Sequence, residues 1–174
     1  VPRLVPSQDH RACSTTHARQ AMMSRVDFAF GAPNRLRMAC EVVHKHYLAG
    51  RRVVVYTQDM QRLAHFDRLL WSFEPAAFVP HVMADDPLAP ATPVILTATP
   101  PLPPTGGNAD AAVAPWLLNL DLACPPGAEA FERILEIVSE HEDDKAAART
   151  RWREYQAAGH TVHAHDVSGR QQAR

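Results

Sequence analysis

The sequence predicts an α/β fold of three layers, a mostly parallel sheet with helices on both faces. Three observations predict it. Short apolar runs alternate along the chain with stretches of helical periodicity, the pattern of strands joined by crossover helices. At least one run, Arg52–Tyr56 (RVVVY), is almost continuously apolar, as a strand covered on both faces must be. Gly, Pro, Asn and Asp punctuate the boundaries between the two kinds of segment.

Taken in order, Arg25–Phe30 (RVDFAF) alternates and stops at Gly31, a first strand. Pro33 and Asn34 open a helix in which Leu36, Ala39, Cys40, Val43, Tyr47 and Leu48 recur at helical spacing, with Gly50 as its stop. Arg52–Tyr56 is the next strand. Thr57 to Asp59 can cap a second helix whose inner stripe is Leu63, Phe66, Leu70 and Phe73. Glu74–His81, bracketed by Pro75 and Pro80, reads as irregular. Pro93–Thr97 is a strand, followed by a loop holding Pro100, Pro101, Pro103, Pro104, Gly106 and Gly107. Trp116–Leu120 is a further strand. Ala128–Glu140 is expected to be an amphipathic helix, with Phe131, Ile134, Leu135 and Val138 on one stripe. Asp143–Ala158 is a second C-terminal helix ending before Gly159, and Thr161–His165 a short terminal strand. Residues 1–22 mix Ser, Thr, Arg, His and Gln without a period. They are expected to be a disordered extension to a domain spanning 23–166, with 167–174 a polar, frayed tail.

Composition narrows the function classes. With 174 residues, 46% hydrophobic and 21% charged, the chain can bury a core without cross-links. A net charge of −1 offers no bulk field for DNA or acidic membranes, though a local basic face remains open. No apolar run has membrane-spanning length, and the expected location is cytoplasmic. Three cysteines, Cys13, Cys40 and Cys124, include no C-x-x-C pair, against both a disulfide framework and a structural zinc site.

Folds of this class often bind nucleotides at their strand ends. After the first strand, however, stands Gly31-Ala32-Pro33-Asn34-Arg35, with neither Gly-rich phosphate motif, and Pro33 removes an N–H such a loop would use. No nucleophile elbow is present, and Cys124 precedes two prolines rather than a helix. His160, His163 and His165 spell H-x-x-H-x-H, a usable metal spacing on a strand, but their only close acidic neighbour is Asp166. No cofactor or metal is expected; a metal-dependent or nucleotide-binding enzyme is the alternative.

Two stretches suggest docking instead. Arg149 and Arg153 are four apart on one helical face, with Trp152 between them and Arg151 diverging. Two guanidinium groups over an aromatic floor suit a carboxylate joined to an apolar side chain, with Val138 able to supply part of the wall. The same spacing also suits solvated charges beside Asp143, Asp144 and Glu154. Trp71 and Phe78 lie in WSFEPAAFVPH, where proline-stiffened aromatics serve either as interface anchors or as a lid on the sheet.

Over residues 24–165 the chain resembles the chi subunit of bacterial DNA polymerase III holoenzyme. Phe66–His81 (FDRLLWSFEPAAFVPH) and Ala148–Gly159 (ARTRWREYQAAG) carry the likeness most strongly. The resemblance implies a non-catalytic adaptor with a nucleotide-binding-like fold and no nucleotide site. It implies two partners: the psi subunit of the clamp loader, and the acidic C-terminal tail of single-stranded-DNA-binding protein, which ends in Phe. A repair helicase is a further partner through the psi surface, and DNA is met only indirectly. On this sequence the tail site falls on Arg149, Arg153, Trp152 and Val138, and the psi or helicase face on Trp71 and Phe78. Arg153 replaces a Lys common in the family, and His160 an apolar aromatic; Pro100–Gly107 and both tails do not match.

Overall fold

A computed structural model describes residues 23–104 and 114–171. The sheet has seven strands, all parallel, in the order β3-β4-β2-β5-β6-β1-β7. The strands are β1 (Arg25–Ala32), β2 (Val53–Tyr56), β3 (His81–Met83), β4 (Val94–Thr97), β5 (Trp116–Asn119), β6 (Arg133–Ser139) and β7 (Thr161–Asp166). Three α-helices connect them: α1 (Arg35–Leu48), α2 (Met60–Ser72) and α3 (Glu142–Ala157).

The period of two along the strands divides the core. Val53 and Val55 face one way and join α1 (Met38, Ala39, Cys40, Val43) and α2 (Leu63, Phe66, Leu70). Val54 and Tyr56 face the other way and join Val26, Phe28, Ile134 and Val138 beneath Ala148 and Tyr155 of α3. Helices therefore cover both faces, as expected. Helix α1 starts where Asn34 accepts the Arg37 N–H, and α2 where Asp59 accepts those of Gln61 and Arg62. Cys40 is a buried core residue.

Two elements differ from expectation. Residues 133–139 form strand β6, not part of a helix. The run is buried on both faces, so Ile134, Glu136 and Val138 face α3 while Leu135 and Ile137 face α1. A continuous apolar segment satisfies helical and strand periods alike, and the β-branched Ile134, Ile137 and Val138 favour the strand. The segment read as irregular ends in β3, three residues paired only to β4. Gly127 and the short 3-10 turn Ala128–Ala130 precede β6.

The carboxyl end of β1 bends at Gly31, which has φ +85° and interrupts the register with β6. A Cβ there would lie 2.9 Å from the Ser168 Cβ, so glycine is required both by conformation and by space. The packed chain continues past β7: Val167 is buried, and its N–H donates to the Phe30 carbonyl. Residues 1–22 and 105–113, which hold Cys13, Gly106 and Gly107, lie outside the described residues. Among the described residues no helix is long and apolar enough to cross a membrane.

Candidate docking sites at the two edges of the sheet

At the β7 edge, α3 lies across β1. Its buried stripe is Asp144, Ala148, Arg151 and Tyr155. Trp152 sits beside that stripe, its ring 5.1 Å from Phe28 and 6.3 Å from Phe30, so two residues of β1 fix the indole. Outside this contact opens a cavity of about 390 Å³ lined by Phe30, Ala148, Arg149, Trp152, Arg153 and Ala164. Both arginines are exposed at its rim. Asp144 is turned away from them: its carboxylate accepts the Ser139 N–H at 2.7 Å and pairs with Arg35 at 3.4 Å.

The structure thus brings together Arg149, Trp152 and Arg153. It does not bring Val138 to the surface. Val138 lies on β6 opposite Phe30 and is fully buried, so it supports the floor from behind. Phe30 and Ala164, which the sequence did not single out, supply the apolar lining. An aromatic alternation in the first strand, Phe28 and Phe30, was the available signal.

Beneath this site lies a buried polar network. Glu136 and Arg151 are both fully buried, with Arg151 Nε and Nη2 each 3.0 Å from Glu136 Oε2. Arg151 Nη1 donates to the Leu122 carbonyl, and Glu136 Oε1 accepts from Asn119 Nδ2 (2.8 Å) and from the Tyr155 hydroxyl (2.9 Å). Burial, with the Glu136 carboxylate alongside, pushes the Tyr155 phenol far up, so it remains a donor. The network ties α3 to β5 and β6 and sets the rotation of the helix that presents the two exposed arginines.

At the opposite edge, α2 ends at Trp71 and Ser72, and the chain returns through Pro75 and Pro80 to β3. Trp71 is 52% and Phe78 64% exposed, with ring centroids 5.5 Å apart. His81 packs 4.6 Å from Trp71; its Nδ1 lies 2.7 Å from the Val79 carbonyl, and its Nε2 is 3.3 Å from Asp67 without a hydrogen bond. The two aromatics form an outward patch, not a lid. Six inter-strand spacings of ~4.8 Å put the edge strands β3 and β7 ~29 Å apart, with one surface near each edge.

The chemistry of the rival readings meets different geometry. At the carboxyl end of β1, where a nucleotide phosphate would sit, Asn34 caps α1. Arg35 donates to the Ile137 and Asp121 carbonyls. His160 accepts the Ser24 N–H, and His165 contacts Asp27 at 2.7 Å. Among the described residues no group of three or more His, Cys, Asp or Glu is placed to hold a metal ion. Burial pushes the Cys40 and Cys124 thiols up to about 12, away from nucleophilic chemistry.

Residues 23–163 match the family model described as "DNA polymerase III chi subunit, HolC". The chain is 32% identical to DNA polymerase III subunit chi of Pseudomonas aeruginosa over 148 residues, covering 82% of this chain and 96% of that protein. It is 25% identical to subunit chi of Escherichia coli over 123 residues (71% and 79%). To subunit chi of Haemophilus influenzae it is 22% identical over 130 residues (75% and 85%).

Proposed function

The chain belongs to the DNA polymerase III chi subunit family, non-catalytic accessory subunits of that polymerase, and from this premise we propose that it is a two-ended adaptor. One end binds the acidic C-terminal tail of single-stranded-DNA-binding protein. The other binds the psi subunit of the clamp loader, or a repair helicase through the same surface. It does so in the cytoplasm, and the tail-bearing protein is what brings it to DNA.

The observation that carries the tail site is the open cavity rimmed by Arg149 and Arg153 over Phe30, Trp152 and Ala164. Arginine forks receive carboxylates, and the apolar lining receives a terminal Phe. One short peptide should bind at about 1 μM, about −8 kcal/mol. Several tails on a coated strand raise avidity without new contacts. At the other edge, Trp71 and Phe78 offer the exposed aromatic anchors of a protein interface. The separation of the edges supports simultaneous engagement.

The test is titration of a labelled acidic peptide ending in Pro-Phe, by anisotropy, into wild type, Arg149→Ala and Phe78→Ala. Salt-sensitive binding lost only in Arg149→Ala is expected. Failure of well-folded wild type to bind would reject the tail site. Retained psi binding by Trp71→Ala and Phe78→Ala would reject the second surface.

A further inference from the structure

The amino ends of the strands carry a cluster of cations that neither docking surface uses. Trp116, the first residue of β5, is 6% exposed, and its indole N–H has no partner among the described residues. The guanidinium carbons of Arg51 and Arg133 lie 4.3 and 4.2 Å from its ring centroid. His46, in the last turn of α1, packs on the same ring at 4.6 Å. Next to this stack, between α1 and strands β1, β6 and β7, lies a cavity of about 210 Å³. Lys45, His46, Arg133 and His165 line it together with two acidic residues: Asp27, whose oxygens are already engaged by Arg25, Arg133 and His165, and Glu136, whose carboxylate is paired with the buried Arg151.

We propose that Lys45, Arg51 and Arg133 form a phosphate site that takes the phosphodiester backbone of single-stranded nucleic acid. Guanidinium groups held over an indole are pre-organised to meet phosphate oxygens; the Arg133 Nε is committed to Asp27, which leaves its terminal nitrogens for a phosphate. Burial chiefly, and then the charges of Lys45, Arg133 and Arg51, push the His46 imidazole down to about 4, so it is neutral beside them. The cavity is smaller than the ~300 Å³ at which small-ligand pockets begin, so it admits a phosphate carried on a chain rather than a whole nucleotide. Trp116 is too buried to stack on a base, which makes the contact one of backbone and independent of sequence. The exposed acid nearest in sequence is Glu132, beside Arg133. The site faces the α1 side of the sheet and the tail cavity the α3 side, so the two anions do not compete.

The experiment is anisotropy of a labelled oligo-dT of about 15 nucleotides, at low salt, with wild type, Lys45→Glu, Arg51→Ala and Arg149→Ala. Lys45 is exposed on a helix, so Lys45→Glu remains folded even if Arg51→Ala loosens the Trp116 stack. Expected are weak binding by wild type, a loss of about tenfold in the first two variants and no change in Arg149→Ala. Two or three phosphate contacts give a slope of log affinity against log salt of about −1.4 to −2.1. The His46 ring resonances should move on adding the oligonucleotide. No binding by folded wild type, or loss with Arg149→Ala instead, overturns the proposal. So does a His46 response to inorganic phosphate without one to oligo-dT, which would mark a small-anion site. An acidic Pro-Phe peptide displacing the oligonucleotide from Arg149→Ala would do the same.

Discussion

Replacing Arg151 by Met removes one half of a fully buried ion pair while keeping most of the side-chain volume. In the wild type, Glu136 Oε2 accepts from Arg151 Nε at 3.0 Å and lies 3.0 Å from Nη2 in an ion pair, and the Leu122 carbonyl accepts from Nη1 at 2.9 Å. The variant leaves a carboxylate out of water with only the Asn119 and Tyr155 donors on its other oxygen. Losing one partner of a buried pair costs about 3–5 kcal/mol. That is a large part of the roughly 5–15 kcal/mol by which domains are stable. With a urea slope of about 2 kcal/mol per M, the unfolding midpoint should fall by about 1.5–2.5 M. Circular dichroism across a urea series reads this directly. Adding Glu136→Gln removes the stranded charge, so the double variant should be more stable than the sum of the two single losses by about 1 kcal/mol or more. A loss below about 1 kcal/mol in Arg151→Met, or strict additivity in the double variant, would refute the reasoning.

Three other outcomes follow from the same geometry. Gly31→Ala places a side chain at φ +85° and against Ser168, and should lower stability by about 1–3 kcal/mol; Ser168→Gly should recover only the part due to contact. Burial alone would raise the Asp27 carboxyl, but hydrogen bonds from Arg25, His165 and Arg133 outweigh it and hold the group below its ordinary range. Its stabilisation is therefore present above about pH 4 and lost as pH falls through the folded value. The gap between wild type and Asp27→Asn should be widest near neutrality and close in acid, as urea midpoints at several pH values would show. Finally, Cys40 and Cys124, raised to about 12, should escape iodoacetamide at pH 8 in the folded protein and react once it is unfolded, as peptide mass spectrometry can measure.

Much of the fold could be read from residue order, and the exceptions have physical causes. Helix α1 carries both its signals, an Asn34 cap and a Gly50 stop, and strands β2, β4 and β5 are apolar runs too short for helices. Strand β6 was misassigned because a strand buried on both faces loses the alternation that identifies it. Strand β3, three residues long, carries no period at all. At the tail site, spacing alone placed Arg149, Trp152 and Arg153 together, because positions three and four apart share a helical face. Arg151 was passed over as merely diverging. The overlooked sign was its position between Ala148 and Tyr155, inside the apolar stripe, where an arginine must have a buried acid to meet. That acid, Glu136, was hidden by the same misassignment of β6. The Trp116 stack joins residues 46, 51, 116 and 133, which only the closed sheet brings together.

The sheet order also governs how the molecule is made. Of the seven described strands β1 leaves the ribosome first, yet among them its neighbours are β6 and β7, the last two made. Arg25 waits for Arg133, and at 5–20 residues per second that delay is roughly 5–20 s. Throughout it, Val26, Phe28 and Phe30 have no sheet to enter. The earlier-closing β2, β3, β4 and β5 can assemble under α2 while β1 remains an unpaired apolar strand. Nascent chains halted before β6 are therefore the species most exposed to chaperones and to aggregation, and the helix that presents Arg149 and Arg153 follows β6 in the chain, so it is made later still.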